Sequence, residues 1–334
     1  MLIELLVSVG IVLGLLGIVF ALVDPSGGAL AVQSLTADVH QRQRATLGEI
    51  HRHLLLAGSG PLPGANGVVA HLRPAVAPRL RGAAADPAAG ADRVSVLYAV
   101  PGASGARLAV PLAGSPARVR LLPVAGCTLP CGLTERSGGL AIVYDATGRS
   151  DLYRVTDLEG ADAVLERLAG GGGFHGAGSL IVPVLVRGYY HDADAEQLRL
   201  HNGAGSDLPV VDGVVDFAVR YFGVAQPTRP PPAGPAAVTA PCLAAAVAAG
   251  APASGVGVLS PALLSDGASC AAGGMPFDVD LFRIRRVRVE VTLRAADAAR
   301  RLPATGSPLM PVRNAAVRDV VASVDVAPRS LAGW

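Results

Sequence analysis

Four cysteines have the most specific chemistry in this sequence, since paired thiols form disulfides and clustered thiolates bind zinc. Three residues separate Cys127 from Cys131, whereas twenty-seven separate Cys242 from Cys270. The two short spacings of a pair of zinc knuckles are therefore absent. Four cysteines allow three pairings, and the sequence does not choose among them, but the two local pairs are the candidate disulfides. A Cys242–Cys270 bond would close a 29-residue loop and stabilise it by about 3–4 kcal/mol in the chain-entropy model.

The histidines and glycines do not form a recognisable catalytic or ligand set. None of the seven histidines lies in a His-Glu-x-x-His arrangement, and His51 and His53 diverge by about 200° on a helix, which prevents joint chelation. We interpret the histidines as solvated or packed side chains. Residues 170–173 are all glycine, but neither Lys-Ser/Thr nor a helix follows, so we interpret this run as a hairpin tip instead of a phosphate-binding loop. The sequence predicts no catalytic residue, no cofactor and no metal site.

A cluster of arginines is the one candidate for contact with nucleic acid. Its members are Arg283, Arg285, Arg286 and Arg288. In a strand, only Arg286 and Arg288 share a face with Glu290, and Phe282 is the only aromatic residue close by. The whole chain carries a formal net charge of only +2. We therefore interpret the cluster as a solvated or inter-subunit sheet face, and nucleic acid is not an expected partner.

The chain begins with an apolar segment, residues 1–23, whose only charge is Glu4. A helix over this segment would be about 35 Å long, enough to cross a hydrocarbon layer of about 30 Å. A secretory signal is one interpretation, but the start has no basic residue and residues 19–21 form a poor cleavage site. An ordinary membrane anchor is another, but it does not explain Glu4, because a carboxylate at the centre of a span costs about 2.5–3.5 kcal/mol and usually marks function.

The third interpretation rests on the string Leu2-Ile3-Glu4-Leu5-Leu6-Val7-Ser8-Val9-Gly10-Ile11. It resembles the start of type IV pilins and type II secretion pseudopilins, whose precursors carry a short basic leader ending in glycine, followed by Phe-Thr-Leu-Ile-Glu. The resemblance implies that Glu4 pairs with the N-terminal amine of a neighbouring subunit, with Leu2, Ile3 and Leu5 beside it at the assembly surface. Met1 stands where the family has threonine, so the prepilin peptidase is an expected partner if an upstream leader exists.

A second helical segment is predicted over residues 24–58. Asp24 and Pro25 predict a break or bend in the helix, with Asp24 as the cap of a restarted helix. Between residues 30 and 57, apolar side chains fall within an arc of roughly 120°, which predicts packing on a sheet. Gln43 is an exception inside this arc. The Gly-Ser-Gly-Pro run at residues 58–61 predicts the end of the helix.

The remainder of the chain is predicted to be rich in β-structure. We expect a loop over residues 59–92, a β-rich pilin-like domain over 93–226, a Pro/Ala/Gly-rich insertion over 227–279, and further strands of the same domain over 280–334. The predicted strands are 93–100, 107–112, 118–124, 140–145, 151–156, 179–186, 197–201, 217–222, 282–293 and 317–326. No long helix separates them, which favours antiparallel pairing. The strand at 282–293 changes phase near Arg285, which predicts a β-bulge.

Two later segments extend the resemblance. Residues 38–60 are similar to the helix of PilW-type minor pilins, and residues 211–222 to a late segment of those proteins and of the J-type minor pseudopilins. The fold class expected is therefore α+β and pilin-like: a long bent N-terminal helix, transmembrane in its first half, packed on an antiparallel sheet with an extended β-rich C-terminal region.

The function expected is that of a minor pilin-like structural subunit, not an enzyme, for assembly or priming of a type IV pilus. The resemblance implies a location in the inner membrane as a single-pass protein with a periplasmic or extracellular domain, and then in the pilus. The partners it implies are other major and minor pilin-like subunits and the inner-membrane assembly platform. Two alternatives stay open: a type II secretion minor pseudopilin, and a membrane-tethered envelope hydrolase or binding module, which would need a pocket with converging polar groups.

Overall fold

A computed structural model describes residues 2–60, 76–77, 93–135, 139–145, 150–168, 174–224, 256–260, 263–266, 269–270, 277–294 and 319–328. It contains one long N-terminal helix and a large antiparallel β-region, so the chain is α+β with most of its body in strands. The helices are α1 (Leu2–Leu56) and α2 (Leu263–Asp266), with a 3-10 helix at Val279–Arg283.

Sixteen strands occur in the described residues. They are β1 (Val76–Ala77), β2 (Arg93–Ala99), β3 (Ala106–Leu108), β4 (Ala117–Pro123), β5 (Leu140–Tyr144), β6 (Ser150–Glu159), β7 (Asp162–Arg167), β8 (Leu180–Asp192), β9 (Gln197–His201), β10 (Asp207–Asp212), β11 (Val214–Val224), β12 (Val256–Leu259), β13 (Ser269–Cys270), β14 (Phe277–Asp278), β15 (Ile284–Leu293) and β16 (Val320–Val326). Each strand predicted from the sequence has a counterpart, and every pairing is antiparallel, as expected.

Helix α1 is continuous from Leu2 to Leu56. Asp24 and Pro25 lie inside it, so the predicted break and restart of the helix at these two residues is wrong, whereas a bend there stays a prediction. Proline lacks one backbone donor, and a single missing hydrogen bond does not end a helix with long helical segments on both sides. The predicted end of the helix is confirmed: Gly58 and Gly60 adopt positive φ values of 71° and 95°, the left-handed conformation that commonly terminates helices.

Six of the strands, β3 to β8, form a closed ring. Strand β8 pairs with β3 on one edge and with β5 on the other, and the order β8-β3-β4-β7-β6-β5 returns to β8. Six antiparallel strands therefore close into a small barrel, whose interior must be filled by side chains. Leu108, Leu121, Tyr153, Leu165 and Ile181 are among the buried residues that fill it.

A four-stranded sheet, in the order β12-β11-β15-β16, forms the second part of the β-region. Val287, Val289, Val291 and Leu293 alternate into its core, as the sequence pattern predicted. The pairing of β15 with β11 shifts between Gly223–Ile284 and Phe222–Arg286, which leaves Arg285 as the extra residue. The predicted bulge near Arg285 is confirmed.

The second half of α1 packs mainly against β15 and β16 and also contacts β2 and β10. Val39, Ile50 and Leu54 are buried in the core shared with this sheet. Strand β8 extends beyond the barrel, and its C-terminal half carries Tyr189 into the core that α1 shares with the four-stranded sheet. The hydroxyl of Tyr221 donates to the carbonyl of Arg93 at 2.6 Å, which joins β11 to β2.

Two segments predicted as loops contain strands. Residues 76–77 pair with β2 inside the predicted loop 59–92. In the predicted insertion 227–279, β12 is an edge strand of the four-stranded sheet, so this part of the insertion belongs to the fold. Gly257 directly opposes Gly223 in this pairing. Because glycine has a low propensity for strands, the sequence of β12 does not show a recognisable strand pattern. Cys242 and the Ala-rich stretch 243–249 lie outside the described residues.

Candidate functional site

The N-terminal part of α1 is long and apolar enough to cross a membrane. Residues 2–19 form an 18-residue span with a mean hydropathy of 2.6, and none of it is buried by the rest of the chain. Leu2, Ile3 and Leu5, predicted from the sequence as assembly residues, have exposed fractions of 78%, 76% and 65%. Glu4 lies among them in the first turn of the helix. This arrangement leaves a continuous apolar surface for lipid or for another apolar helix.

Small residues lie along one side of this span. Gly10, Gly14 and Gly17 fall within an arc of about 60° on a helix, and apart from the adjoining residues and backbone of the helix itself, no atom lies within 4 Å of a Cβ built on any of them. Spacings of this kind allow membrane helices to approach closely. The hydroxyl of Ser8 donates to the carbonyl of Leu5 at 2.9 Å, so this polar group is satisfied within the helix. The spacing of these three glycines is the signal in the sequence that indicates this surface.

The docked half of α1 is held by a polar contact as well as by apolar packing. Gln43, the exception in the apolar arc, is only 5% exposed. Its Nε2 atom donates to the carbonyl oxygen of Val320 on β16 at 3.2 Å. Since a buried amide needs a hydrogen-bond partner, the edge strand explains why glutamine is tolerated inside the apolar face.

The C-terminal turns of α1 join β2 through backbone hydrogen bonds. The N–H of Gly58 donates to the carbonyl of Leu97 at 2.8 Å, and the N–H of Ala99 donates to the carbonyl of Ser59 at 3.0 Å. A Cβ added to Gly60 would overlap the side chain of Ala99. The end of the helix is therefore fixed against the strand at close range.

His53 lies in this junction and is 7% exposed. Its Nδ1 atom is 2.5 Å from the hydroxyl of Tyr189, and that hydroxyl donates to Oε1 of Glu49 at 3.4 Å. The imidazole also stacks on Tyr98 with a centroid separation of 5.9 Å. Burial, helped by the positive charges of Arg187 and Arg52, lowers the pKa of His53 from 6.5 to about 4. Burial and the nearby Glu49 carboxylate raise the pKa of Tyr189.

A second polar pair lies inside the barrel. Nε2 of His175 is 2.8 Å from Oδ2 of Asp151, and both side chains are completely buried. The ring of Tyr153 meets His175 edge-on at 6.3 Å between centroids, and the hydroxyl of Tyr153 accepts from Arg167 at 3.1 Å. His175 was expected to be a solvated or packed histidine, and Asp151 was not among the candidate residues. Strand alternation could have flagged Asp151, because it shares one face of β6 with Tyr153 and Val155, which are buried in the barrel core.

One of the candidate disulfides is present. Cys127 and Cys131 are bonded to each other, with their Cα atoms 5.3 Å apart. Cys131 is buried and packs with the barrel core, so the bond anchors the loop that follows β4. Cys270 is in β13, whereas Cys242 is outside the described part of the chain, and the Cys242–Cys270 pairing remains a prediction.

The arginine cluster lies largely on the outer face of the four-stranded sheet. Arg288 forms a close ion pair with Asp325, with Nη2 to Oδ2 at 2.7 Å. The guanidinium of Arg286 stacks 4.4 Å from the centroid of Phe222. Arg283 instead pairs with Asp280 in the 3-10 helix. The hydrogen bond from Arg288 lowers the pKa of Asp325. Arg283, Arg286 and Arg288 thus each have a partner within the chain, and the interpretation of the cluster as a solvated or inter-subunit face stays a prediction.

These groups provide an exposed apolar span, a charged sheet face and contacts that join elements of the fold. Within the described residues, no group of three or more His, Cys, Asp or Glu side chains could hold a metal ion. The two most buried polar pairs, His53 with Tyr189 and His175 with Asp151, lie on different parts of the β-region and join elements of the fold. Comparison of the chain with family models, with curated proteins and with solved structures gave no match in any of the three.

Proposed function

We propose that this chain is a membrane-anchored, pilin-like structural subunit for the assembly or priming of a type IV pilus. The observation that carries this proposal is the contrast along α1: residues 2–19 are fully exposed and apolar, while Val39, Ile50 and Leu54 on the same helix are buried against the β-region. One helix thus presents an apolar rod at one end and holds a folded domain at the other. A subunit that must leave a membrane and enter a helical filament needs both parts.

In this proposal the exposed half of α1 anchors the subunit in the inner membrane as a single span, with the β-region in the periplasm or outside the cell. On assembly, the span exchanges lipid contacts for contacts with the spans of other subunits. The open surface at Gly10, Gly14 and Gly17 supports the proposal, because close helix approach increases van der Waals contact. The partners are other major and minor pilin-like subunits, the inner-membrane assembly platform and, with an upstream leader, the prepilin peptidase.

Glu4 sets the register between neighbouring spans. A carboxylate placed in hydrocarbon costs a few kcal/mol even on the most permissive scales, and a cationic group from a neighbour offsets that cost when the two are hydrogen-bonded. The position of Glu4 in the first turn, together with the resemblance of residues 2–11 to pilin N-termini, supports pairing with the N-terminal amine of an adjacent subunit. A shift of one residue between helices would separate the charges by about 1.5 Å along the axis.

The test is a count of filaments in cells that carry the chain with its upstream codons, either unchanged or as Glu4→Ala. We expect Glu4→Ala to lower filament number and incorporation of the subunit while its level in the membrane stays the same. Ser8→Ala is the matched control, because Ser8 is a polar residue of the same span whose hydroxyl is satisfied within the helix. Unchanged filament number and incorporation in Glu4→Ala would refute the registering role.

A type II secretion minor pseudopilin would use the same architecture, since it is also inserted through a single apolar helix. The two systems differ in output, so deletion of the gene separates them. Loss of surface pili with normal export of secreted proteins supports the pilus assignment. Normal pili with failed export would instead assign the chain to secretion.

A further inference from the structure

The junction between α1 and the β-region contains a buried histidine, His53, whose imidazole ordinarily gains a proton in mildly acidic water. His53 is on the last helical turns, and its ring lies between Tyr98 of β2 and Tyr189 of β8, with centroids 5.9 Å from each. Only 7% of the residue is exposed. We call this contact of His53 with β2 and β8 the helix–strand junction.

The charged and titratable groups facing His53 come from all three elements. Helix α1 contributes Glu49 and Arg52, β2 contributes Tyr98, and β8 contributes Arg187 and Tyr189. Two of these groups are positive and one is negative, and the two tyrosines stay neutral because burial raises the pKa of both. A positive charge on the imidazole would therefore be poorly hydrated and would face more cations than anions.

We propose that the helix–strand junction is an acid-sensitive contact, in which protonation of His53 loosens the C-terminal turns of α1 from β2 and β8. The proposal is independent of the pilin-like function, since it follows from the packing of the folded chain alone.

The sign follows from linkage. The pKa of His53 in the folded state, about 4, lies below its ordinary value of 6.5. Stabilisation by neutral His53 is thus fully present above pH 6.5 and is lost as the pH falls toward 4. If opening exposes the ring to water, these two values give an increase of about 20-fold in the open population between pH 7 and pH 5.

Hydrogen exchange of the full chain in detergent micelles tests the proposal. The informative amides are those of Gly58 and Ala99, whose N–H groups close the junction. After correction for intrinsic exchange, we expect their protection to fall by about 20-fold from pH 7 to pH 5, while amides of the barrel strands β4 and β7 keep theirs. His53→Gln should abolish this pH response, and His51→Gln, an exposed histidine of the same helix, should preserve it.

Unchanged protection of Gly58 and Ala99 at pH 5 in the unmodified chain would overturn the proposal, as would an equal response in His53→Gln. A direct NMR titration of the His53 imidazole in the unmodified chain does not depend on a variant that folds. A midpoint well below 6.5 supports the proposal, and a midpoint at or above 6.5 would contradict it.

Discussion

Two aspartates on the same strand provide a sharp test of what stabilises the barrel. Both lie on β6, but Asp151 is completely buried and paired with His175 at 2.8 Å. Asp157 is 52% exposed in its side chain and lies 3.4 Å from Arg118. The same substitution at the two sites removes one carboxylate from the barrel interior and one from its solvated surface.

We expect Asp151→Ala to lower the free energy of unfolding of the barrel by about 3–5 kcal/mol, because it leaves the His175 Nε2 atom without this partner in a closed interior. Asp157→Ala should cost about 0–1 kcal/mol, as is usual for an exposed ion pair. Asp151→Asn keeps a carbonyl oxygen that accepts from Nε2, so its cost should fall between the two.

The assay is native-state hydrogen exchange of the barrel amides across a urea series, with the full chain in detergent micelles. This readout reports the barrel separately from α1, which carries its own large helical signal. If Asp151→Ala destabilises the barrel no more than Asp157→Ala does, the buried pair contributes little, and the reasoning from burial is refuted.

Three further predictions concern contacts outside the barrel interior. Gln43→Ala should lower the stability of the helix–sheet contact by about 1–3 kcal/mol, since it removes the donor to the Val320 carbonyl and leaves a void; unchanged exchange of α1 amides would contradict this. Asp325→Asn should reduce thermal stability slightly at neutral pH, because Arg288 lowers the pKa of Asp325 and the two side chains form an ion pair. The effect should disappear in strong acid, where Asp325 is protonated, and in high salt, which screens an exposed pair. An equal effect in high salt would count against an ion pair. Cys131→Ser should lower the free energy of unfolding by about 2 kcal/mol, the chain-entropy contribution of a disulfide that closes a five-residue loop. The urea midpoint measures this change, and an unchanged midpoint would show that the bond does not stabilise the fold.

The strand pattern was predictable where side chains alternate strongly. In β15, valines on one face and charged residues on the other determined both the strand and the bulge at Arg285. Strand β7 was missed because its sequence, Asp-Ala-Val-Leu-Glu-Arg, carries charges at both ends and only a short apolar centre. Burial of Ala163 and Leu165 comes from closure of the barrel, which no local pattern encodes.

The polar contacts were predictable only in part. The sequence identified Gln43 as an exception but could not supply its partner, because Val320 is distant in sequence and adjacent only in the fold. The same applies to Asp151 with His175 and to His53 with Tyr189, whose pairing depends on the register of strands. In contrast, the Cys127–Cys131 bond was one of the two local pairs that the sequence offered as candidate disulfides, since five residues bring two cysteines together without tertiary structure.

The unbroken course of α1 has a mechanical consequence. A continuous helix transmits tension along its axis, because each turn is cross-linked to the next by backbone hydrogen bonds. A pull on the end at Leu2 is therefore delivered to the docked turns, where the Gly58–Leu97 and Ala99–Ser59 bonds bear it together with the buried side chains. The load would thus reach the meeting of helix and strand, far from the end at which it is applied.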